Sequence, residues 1–506
     1  MTEQRSVFLA FDLGASNGRA VLGRLDDKGL SIEEVHRFSN GGVRLNDGLH
    51  WDVLRLWQEV KTGIRRAVER AAGELVSLGV DTWGVDFGLL DAADHLIGNP
   101  YHYRDARTDG MMGAAFEVVS QSEIYERTGI QFLQFNTLYQ LLAMVRAQSP
   151  QLEIAETLLT MPDLFNFWLT GRKVSEFTIA TTTQCYDPRA KTWATEMLEA
   201  LEIPPHLFQE LVPPGTVLGP LRAEIVDETD APPLQVVAPG THDTASAVAA
   251  VPVEDSDDVI YISSGTWSVM GVEIDQSIIN AESLEAGLTN EGGVGGTFRF
   301  LTNITGLWLI QECRRAWAQQ GDAYTYDDLT AMAAEAPASG PLIVPDHPTF
   351  LAPEDMPAAI CSFCERTGQP VPETKGAVVR CALESLAMAY RDVAERLDSL
   401  VGHRLSTIHI IGGGSQNRLL NQFTADATGR DVFAGPVEAT AIGNVLVQAM
   451  ALGYIDSLDA GRALVRRSFD VTGYQPRAAQ AEAWDVAYER YYELLGRLRR
   501  DIGSTD

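Results

Sequence analysis

Asp12 ends an apolar run that begins at Val7, and a turn containing Gly14 and Gly18 follows it directly. Ala20, Val21 and Leu22 then start a second apolar run. Glycine lets backbone approach a ligand closely, so such a turn can aim several N–H groups at one anion. A carboxylate beside it is suited to hold Mg²⁺, directly or through water, against a polyphosphate. The turn leads back into a strand, unlike the strand-turn-helix of a dinucleotide fold. The Walker pattern G-x-x-x-x-G-K-[ST] occurs nowhere in the chain. The competing reading is a tight hairpin with an acid near its mouth. Arg19, at the far side of the turn, either neutralises phosphate charge or makes a surface ion pair.

Asp243 is the candidate general base. It lies in Gly240-Thr241-His242-Asp243-Thr244, after the apolar Leu234 to Ala238 and before the small residues Ala245 to Ala250. A strand-to-helix junction there would present the carboxylate to a hydroxyl. The same position also suits an acid that merely caps a helix. His242 is a rival base, since its unperturbed pKa is the more convenient. Gly84, between Trp83 and Val85, either lets a ligand lie against backbone or makes a plain hairpin turn. Trp83 and Asp86 are further candidates to face that ligand, with core packing as the rival reading for Trp83.

The elements that must position these residues follow a repeated grammar. Val7 to Arg24 reads as a hairpin, Trp51 to Ala72 as a helix, and Leu75 to Leu90 as strand, glycine turn and second strand. Helices are expected around Gln121 to Arg127, Leu138 to Ala147 and Leu164 to Leu169. Pro and Gly cluster at Pro204 to Pro220 and Pro232 to Gly240, where topology should change. Val259 to Met270 then repeats the opening hairpin, with Thr266 in its Ser-Ser-Gly-Thr turn. A long helix from Ala377 to Leu397 precedes a strand, Thr407 to Gly414, that ends in three glycines. A helix from Arg418 to Thr428 and a glycine-containing segment at Ala439 to Asn444 follow. Two similar halves, 1–250 and 251–506, are expected to clamp a nucleotide in a cleft between them.

The chain has 506 residues, too many for one core, with 45% hydrophobic and 21% charged residues. Its formal net charge of −30 argues against nucleic acid and anionic membrane as partners. An anionic substrate stays possible, because amides, a metal and a few arginines outweigh a field screened within about 10 Å. No apolar run approaches the roughly 18 residues of a membrane span. Asp12 comes too early for a secretory leader, so a cytoplasmic protein is expected. Five cysteines make no disulfide framework. Cys361 and Cys364 have metal-ligand spacing, but nothing completes a zinc site. Cys364 and Cys381 could close a loop if the fold joins them, although reduced thiols fit a cytosol better.

Ordered motifs span nearly the whole length: DLGASNGR from Asp12, DTWGVDF from Asp81, YRDART from Tyr103, and GIQFLQFNTLYQL from Gly129. MPDLFNFWLTG, ATTTQ, THDTASAV, YISSGTWSVMG, LTNITGLWLIQ, IHIIGGGSQNRLLNQ and AGPVEATAIGN follow in turn. Together they resemble the FGGY family of carbohydrate kinases, and within it the branch that acts on L-rhamnulose. The resemblance implies a two-lobed α/β fold of the actin-like, ribonuclease H-like ATPase type, with a duplicated core and a catalytic cleft between lobes. It implies that ATP, with Mg²⁺ at Asp12, phosphorylates L-rhamnulose to L-rhamnulose 1-phosphate within rhamnose degradation. Asp243 would be the base, and Gly84, His242, Asp243 and Thr244 would contact the sugar. Ala15, Ser16, Asn17, Gly18 and Arg19 would hold phosphates, with Thr266, Asn303, Gln311 and Gly413 on the nucleotide. For Asn303 and Gln311 the rival reading is a pair of routine helix-surface amides. The segment FNTLYQ, from Phe135, departs from the wider family's lysine-containing signature and matches the L-rhamnulose branch. A monomer or small homo-oligomer is expected. The rival activities are phosphorylation of L-fuculose or another ketose and, on the same fold, a non-catalytic sugar- or nucleotide-binding regulator.

Overall fold

The computed structural model describes residues 6–71, 74–254 and 258–502. They form two compact units that are not contiguous in sequence. The first takes the chain to Glu254, then Glu273–Leu301 and Glu438–Phe469; the second takes Asp255–Val272, Thr302–Val437 and the remainder.

In the first unit a six-stranded sheet has the order Thr216–Pro220, Gln235–Ala238, Leu75–Thr82, Ser6–Leu13, Asn17–Asp26, Gly29–Ser39. Ser6–Leu13 is buried along its whole length, as a strand covered on both faces must be. One face meets the helix Val53–Ala71, which presents Leu56, Val60, Ile64 and Ala67 at helical spacing. Ala72, the expected end of that helix, lies outside the described residues. The other face receives the helix Ala439–Ala451. The sequence marks only a glycine-containing segment there; the glycine proves to be a packing device. A Cβ on Gly443 would stand 1.7 Å from the carbonyl oxygen of Ser246, in the helix Asp243–Ala249.

The expected hairpin at Val7 to Arg24 is present, with Asp12 directly opposite Arg19. Neither Gly14 nor Gly18 needs a left-handed backbone. Gly18 is required by space, because a Cβ would meet the Phe38 ring at 2.4 Å. The segment Leu75 to Leu90 does form two strands, but they do not pair with each other. Leu75–Thr82 runs parallel to Ser6–Leu13, whereas Phe87–Leu90 pairs with Thr157–Thr160. The chain between them therefore leaves one sheet for another, which a local pattern cannot reveal.

The second unit repeats the plan. Val259–Ser264 and Trp267–Ile274 form a hairpin, and Thr407–Ile411 lies parallel to the first of them. Asp431–Ala434 and Thr472–Tyr474 extend that sheet. The helix Lys375–Val401 begins on a Thr374 cap and ends at Gly402, whose φ of 85° suits only glycine well. Its Tyr390 hydroxyl lies 2.6 Å from that of Ser268. Cys364 and Cys381 are neighbouring free thiols: their shared hydrogen bond lowers the pKa of Cys364 and raises that of Cys381. Among the described residues no helix is long and apolar enough to cross a membrane.

Gly443→Ala gains about 1 kcal/mol of helix propensity, yet its methyl cannot fit without separating two helices. Overpacking typically costs about 1–3 kcal/mol. The variant should unfold at a lower urea midpoint than the parent; an unchanged midpoint would mean the helix contact is not tight.

Candidate active site

The first unit concentrates carboxylates at the ends of adjacent strands. Asp12 and Asp81 are partners in the parallel pairing of Ser6–Leu13 with Leu75–Thr82. Thr82 forms a bridge to His242, and its amide donates to the Thr241 carbonyl at 2.9 Å, which delivers Asp243 to the same place. Asp81 is fully buried: Asn444 donates to its Oδ2 at 2.5 Å, while its Oδ1 has no hydrogen-bond partner among the described residues. Burial first, and the nearby Asp12 charge second, hold the Asp81 carboxyl well above the usual range. Asp243 is also raised, again by burial, against the opposing pull of His242.

Arg19 bonds to Asp12 and Glu438 at once. Its side chain is only 16% exposed, so the pair is not a surface ion pair. Burial works against its charge, but Asp12 and Glu438 more than offset this and raise its pKa above the ordinary value. The turn before it is short. Gly14 donates to the Asn17 carbonyl at 2.9 Å, Ala15 is half-buried, Ser16 and Asn17 are exposed, and Gly18 is buried. Asp12 and Asp81 offer an all-oxygen donor set that suits a hard cation, and the orphaned Oδ1 of Asp81 belongs to the same group. Among the described residues no three His, Cys, Asp or Glu are placed to cage a metal alone. Mg²⁺ commonly uses one or two carboxylates, waters and substrate phosphates, so these residues fit it.

His242, not Asp243, occupies the N-cap of the helix Asp243–Ala249, and it makes no side-chain cap bond. Asp243 is the first helical residue; it accepts from the Thr244 hydroxyl at 3.0 Å, and its side chain is 30% exposed. Capping therefore does not account for this acid. The preceding strand end is pinned from below by the buried Glu176. Its Oε2 accepts from the Thr241 hydroxyl at 2.6 Å and amide at 3.2 Å, and from Thr178 Oγ1 at 2.6 Å. Gly84 borders the same space: a Cβ there would lie 3.2 Å from Thr182 Oγ1 and 3.5 Å from His242 Nε2. Val85 next to it holds φ at 69°, a strained value for a β-branched residue. Thr182, Thr137 and Gln140 all bond its backbone. Strain of this kind persists where surrounding structure over-determines it.

Trp83 and Asp86 are both buried. Asp86 accepts from Trp51 Nε1 at 2.6 Å, Trp83 Nε1 at 2.9 Å, Gln140 Nε2 at 2.9 Å and the Tyr103 amide at 3.2 Å. Burial pushes its pKa up to about 6 in spite of those donors. With its oxygens so occupied it braces the wall behind Gly84.

In the second unit Thr266 sits in the repeated turn and donates to Gln311 Oε1 at 3.1 Å. Asn303 is half-buried on the strand Phe298–Thr305, and Gln311 is in the first turn of the helix Trp308–Gln319. Asn303 is thus a strand residue and not a helix-surface amide. Gly413 opens the short turn Gly413–Gln416, and a Cβ there would meet no atom within 4 Å. The same addition at Gly414 would strike Ser264 Oγ at 2.0 Å. Local sequence pattern did not single out Asp81, Glu176, Glu291, Arg299 or Glu438. An acid ending the apolar strand Leu75–Thr82 was a usable signal for Asp81; nothing local marks the other four.

Asp81 carries more protons in the folded than in the unfolded chain, so its contribution lowers stability as pH rises from the ordinary carboxylate range toward neutrality. Asp81→Asn should therefore raise the thermal midpoint of the ligand-free protein near pH 7, with the gain fading as pH falls below about 4. A variant less stable than the parent at neutral pH would contradict this charge state.

Residues 7–250 match the N-terminal domain, and residues 260–452 the C-terminal domain, of the FGGY family of carbohydrate kinases. A protein of Bacteroides thetaiotaomicron named Rhamnulokinase is 44% identical over 95% of this chain and 98% of its own. One of the same name from Oceanobacillus iheyensis is 43% identical over 92% and 97%. Among solved structures, a ligand-bound xylulose kinase from Lactobacillus acidophilus superposes with a TM-score of 0.80 at 18% identity, covering 99% of this chain and 100% of that one. A glycerol kinase from Plasmodium falciparum with ADP gives 0.77 at 15% identity, over 96% and 98%. Those distant structures share this chain's two-domain α/β fold. With both of its domains matched in order, the chain belongs to the FGGY family of carbohydrate kinases.

Proposed function

We propose that the protein phosphorylates L-rhamnulose with ATP and Mg²⁺, giving L-rhamnulose 1-phosphate and ADP, in the cytoplasmic breakdown of L-rhamnose. The observation that carries the reading is identity of 44% over 95% of the chain with a protein named Rhamnulokinase, with a half-buried, non-capping Asp243 beside the Asp12 cluster. The N-terminal part, 1–250, supplies the sugar and phosphate site, and the C-terminal part, 251–506, the nucleotide contacts.

Phosphoryl transfer asks for positioning, charge neutralisation and a base more than for covalent chemistry. Asp243 accepts the proton of the attacking sugar hydroxyl, and its raised pKa favours that acceptance. Gly84 leaves room for the sugar against backbone, with His242 and Thr244 as hydrogen-bonding neighbours. Asp12 holds the metal, which would neutralise the phosphate charge when bound. Ala15 to Gly18 meet the phosphates, and Arg19 adds a fixed positive charge beside them. Thr266, Asn303, Gln311 and Gly413 serve the nucleotide.

Asp243→Asn keeps volume and one acceptor but removes the basic carboxylate. General-base catalysis is worth about 10²- to 10⁴-fold, so turnover should fall by that much while ATP affinity and folding hold. Retention of more than about a third of parental turnover would sink the base assignment. In a coupled ADP-release assay across L-rhamnulose, L-fuculose, L-xylulose, L-ribulose and glycerol, L-rhamnulose should give the highest kcat/KM. A different winner would move the activity to that sugar. Asp12→Ala should abolish turnover yet leave Mg²⁺-free nucleotide binding, followed by calorimetry, nearly unchanged.

A further inference from the structure

Behind His242 lies an ion pair that the reaction outlined above does not use. Glu291 and Arg299 stand opposite one another in the antiparallel pairing of Thr289–Gly292 with Phe298–Thr305. The Arg299 side chain is fully buried. Its Nε donates to the Gly292 carbonyl at 2.9 Å, and its Nη2 to Glu291 Oε2 at 3.0 Å. The same Nη2 is 3.0 Å from His242 Nδ1. On the far side of the ring, Nε2 is 3.5 Å from Asp243 Oδ1 and borders the space above Gly84.

A guanidinium has donors only, so the ring nitrogen that faces it must offer a lone pair. Glu291 Oε2 is also near Nδ1, at 3.3 Å, and would favour a proton there. The guanidinium is closer and has the hydrogen-bond geometry, so the donor wins. We propose that Arg299, with Glu291 as its counter-charge, is a positioning residue that holds His242 as the Nε2–H tautomer, turning that N–H toward Asp243 and the sugar. The proposal rests on the reading of Asp243 as base and His242 as sugar contact.

With Nδ1 occupied and Nε2 already protonated, His242 has no lone pair for a substrate proton, which leaves Asp243 as the acceptor. The Nε2–H is then a fixed donor, able to orient a sugar hydroxyl or the base itself. Glu291 makes this tolerable in a dry interior: burial would raise its pKa, but the adjacent Arg299 charge holds it below the ordinary value, so the pair is nearly neutral overall. A buried tautomer set by what the other ring nitrogen meets is a recurrent device in histidine sites.

The test is a long-range ¹H–¹⁵N correlation spectrum of the full chain at mildly alkaline pH, with His242 identified by its absence in His242→Asn. A pyridine-like Nδ1 and a pyrrole-like Nε2 are expected. An Nδ1–H tautomer or an imidazolium would overturn the proposal. Glu291→Gln/Arg299→Met removes both charges without stranding either. It should shift the ring to the Nδ1–H form and lower kcat/KM for the ketose about 10²-fold, the cost of a misplaced group, with KM for ATP unchanged. Parental tautomer and ketose kinetics in that variant would also overturn it; if the variant fails to fold by circular dichroism, the parental spectrum decides alone. Absent ADP release from the parent with every ketose would refute the kinase reading and leave the tautomer result standing.

Discussion

Two parallel strands end side by side with an aspartate each, and a third aspartate arrives from the helix start bonded to one of those strands. The Asp12 charge consequently bears on both Asp81 and Asp243 where water is scarce. Like charges there disfavour ionisation, and the surrounding structure is arranged to manage that cost. Arg19 lies on Asp12, and Asn444 donates to Asp81. Asn444 reaches its partner only because Gly79 has no side chain: a Cβ there would stand 2.7 Å from Asn444 Oδ1. Gly443 in turn lets the helix Ala439–Ala451 settle against Asp243–Ala249. Much of the first unit's close packing is thus a condition for keeping three acids together. A site of this kind lowers stability, as functional sites commonly do.

A shell of buried polar groups surrounds the acids. Glu176 ties Thr241 to the helix Phe177–Thr182, Asp86 braces the aromatic wall of Trp51 and Trp83, and Arg299 backs His242. Each sits where an unpaired charge would be costly, and each directs its hydrogen bonds to backbone or side chains that border the candidate sugar site. The left-handed Val85 is the local sign of this over-determination. Such groups fix dipoles in advance of the reaction, which is how phosphoryl transfer gains most from a protein.

The two units share a plan: an antiparallel hairpin whose first strand gains a parallel neighbour later in the chain. The hairpin turn carries the phosphate-facing candidates in one unit and Thr266 in the other. The matched pieces have diverged in charge. The first turn is flanked by Asp12 and Arg19, whereas the second relies on neutral Ser, Thr and the bonded Thr266–Gln311 pair. Flanking acidic charge therefore distinguishes the first turn from the second.

Much of this was legible in the residues. Apolar runs broken by small-residue turns specify both hairpins, because alternation and turn chemistry act over a few neighbours. Helical spacing likewise marked the helices now seen at Val53–Ala71, Lys375–Val401 and Arg418–Thr428. The ordered motifs named the family. Tertiary structure alone decided that Phe87–Leu90 abandons its neighbour for Thr157–Thr160, and that Trp83 and Asp86 are buried and bonded to each other. It alone gathered Asp81, Glu176, Glu291, Arg299 and Glu438 around residues far away in the chain. The physical reason is range. A turn or a helix is selected by local torsions and spacing, whereas the partner of a buried charge is selected by whatever the packed fold brings within about 3 Å, and no periodicity records that.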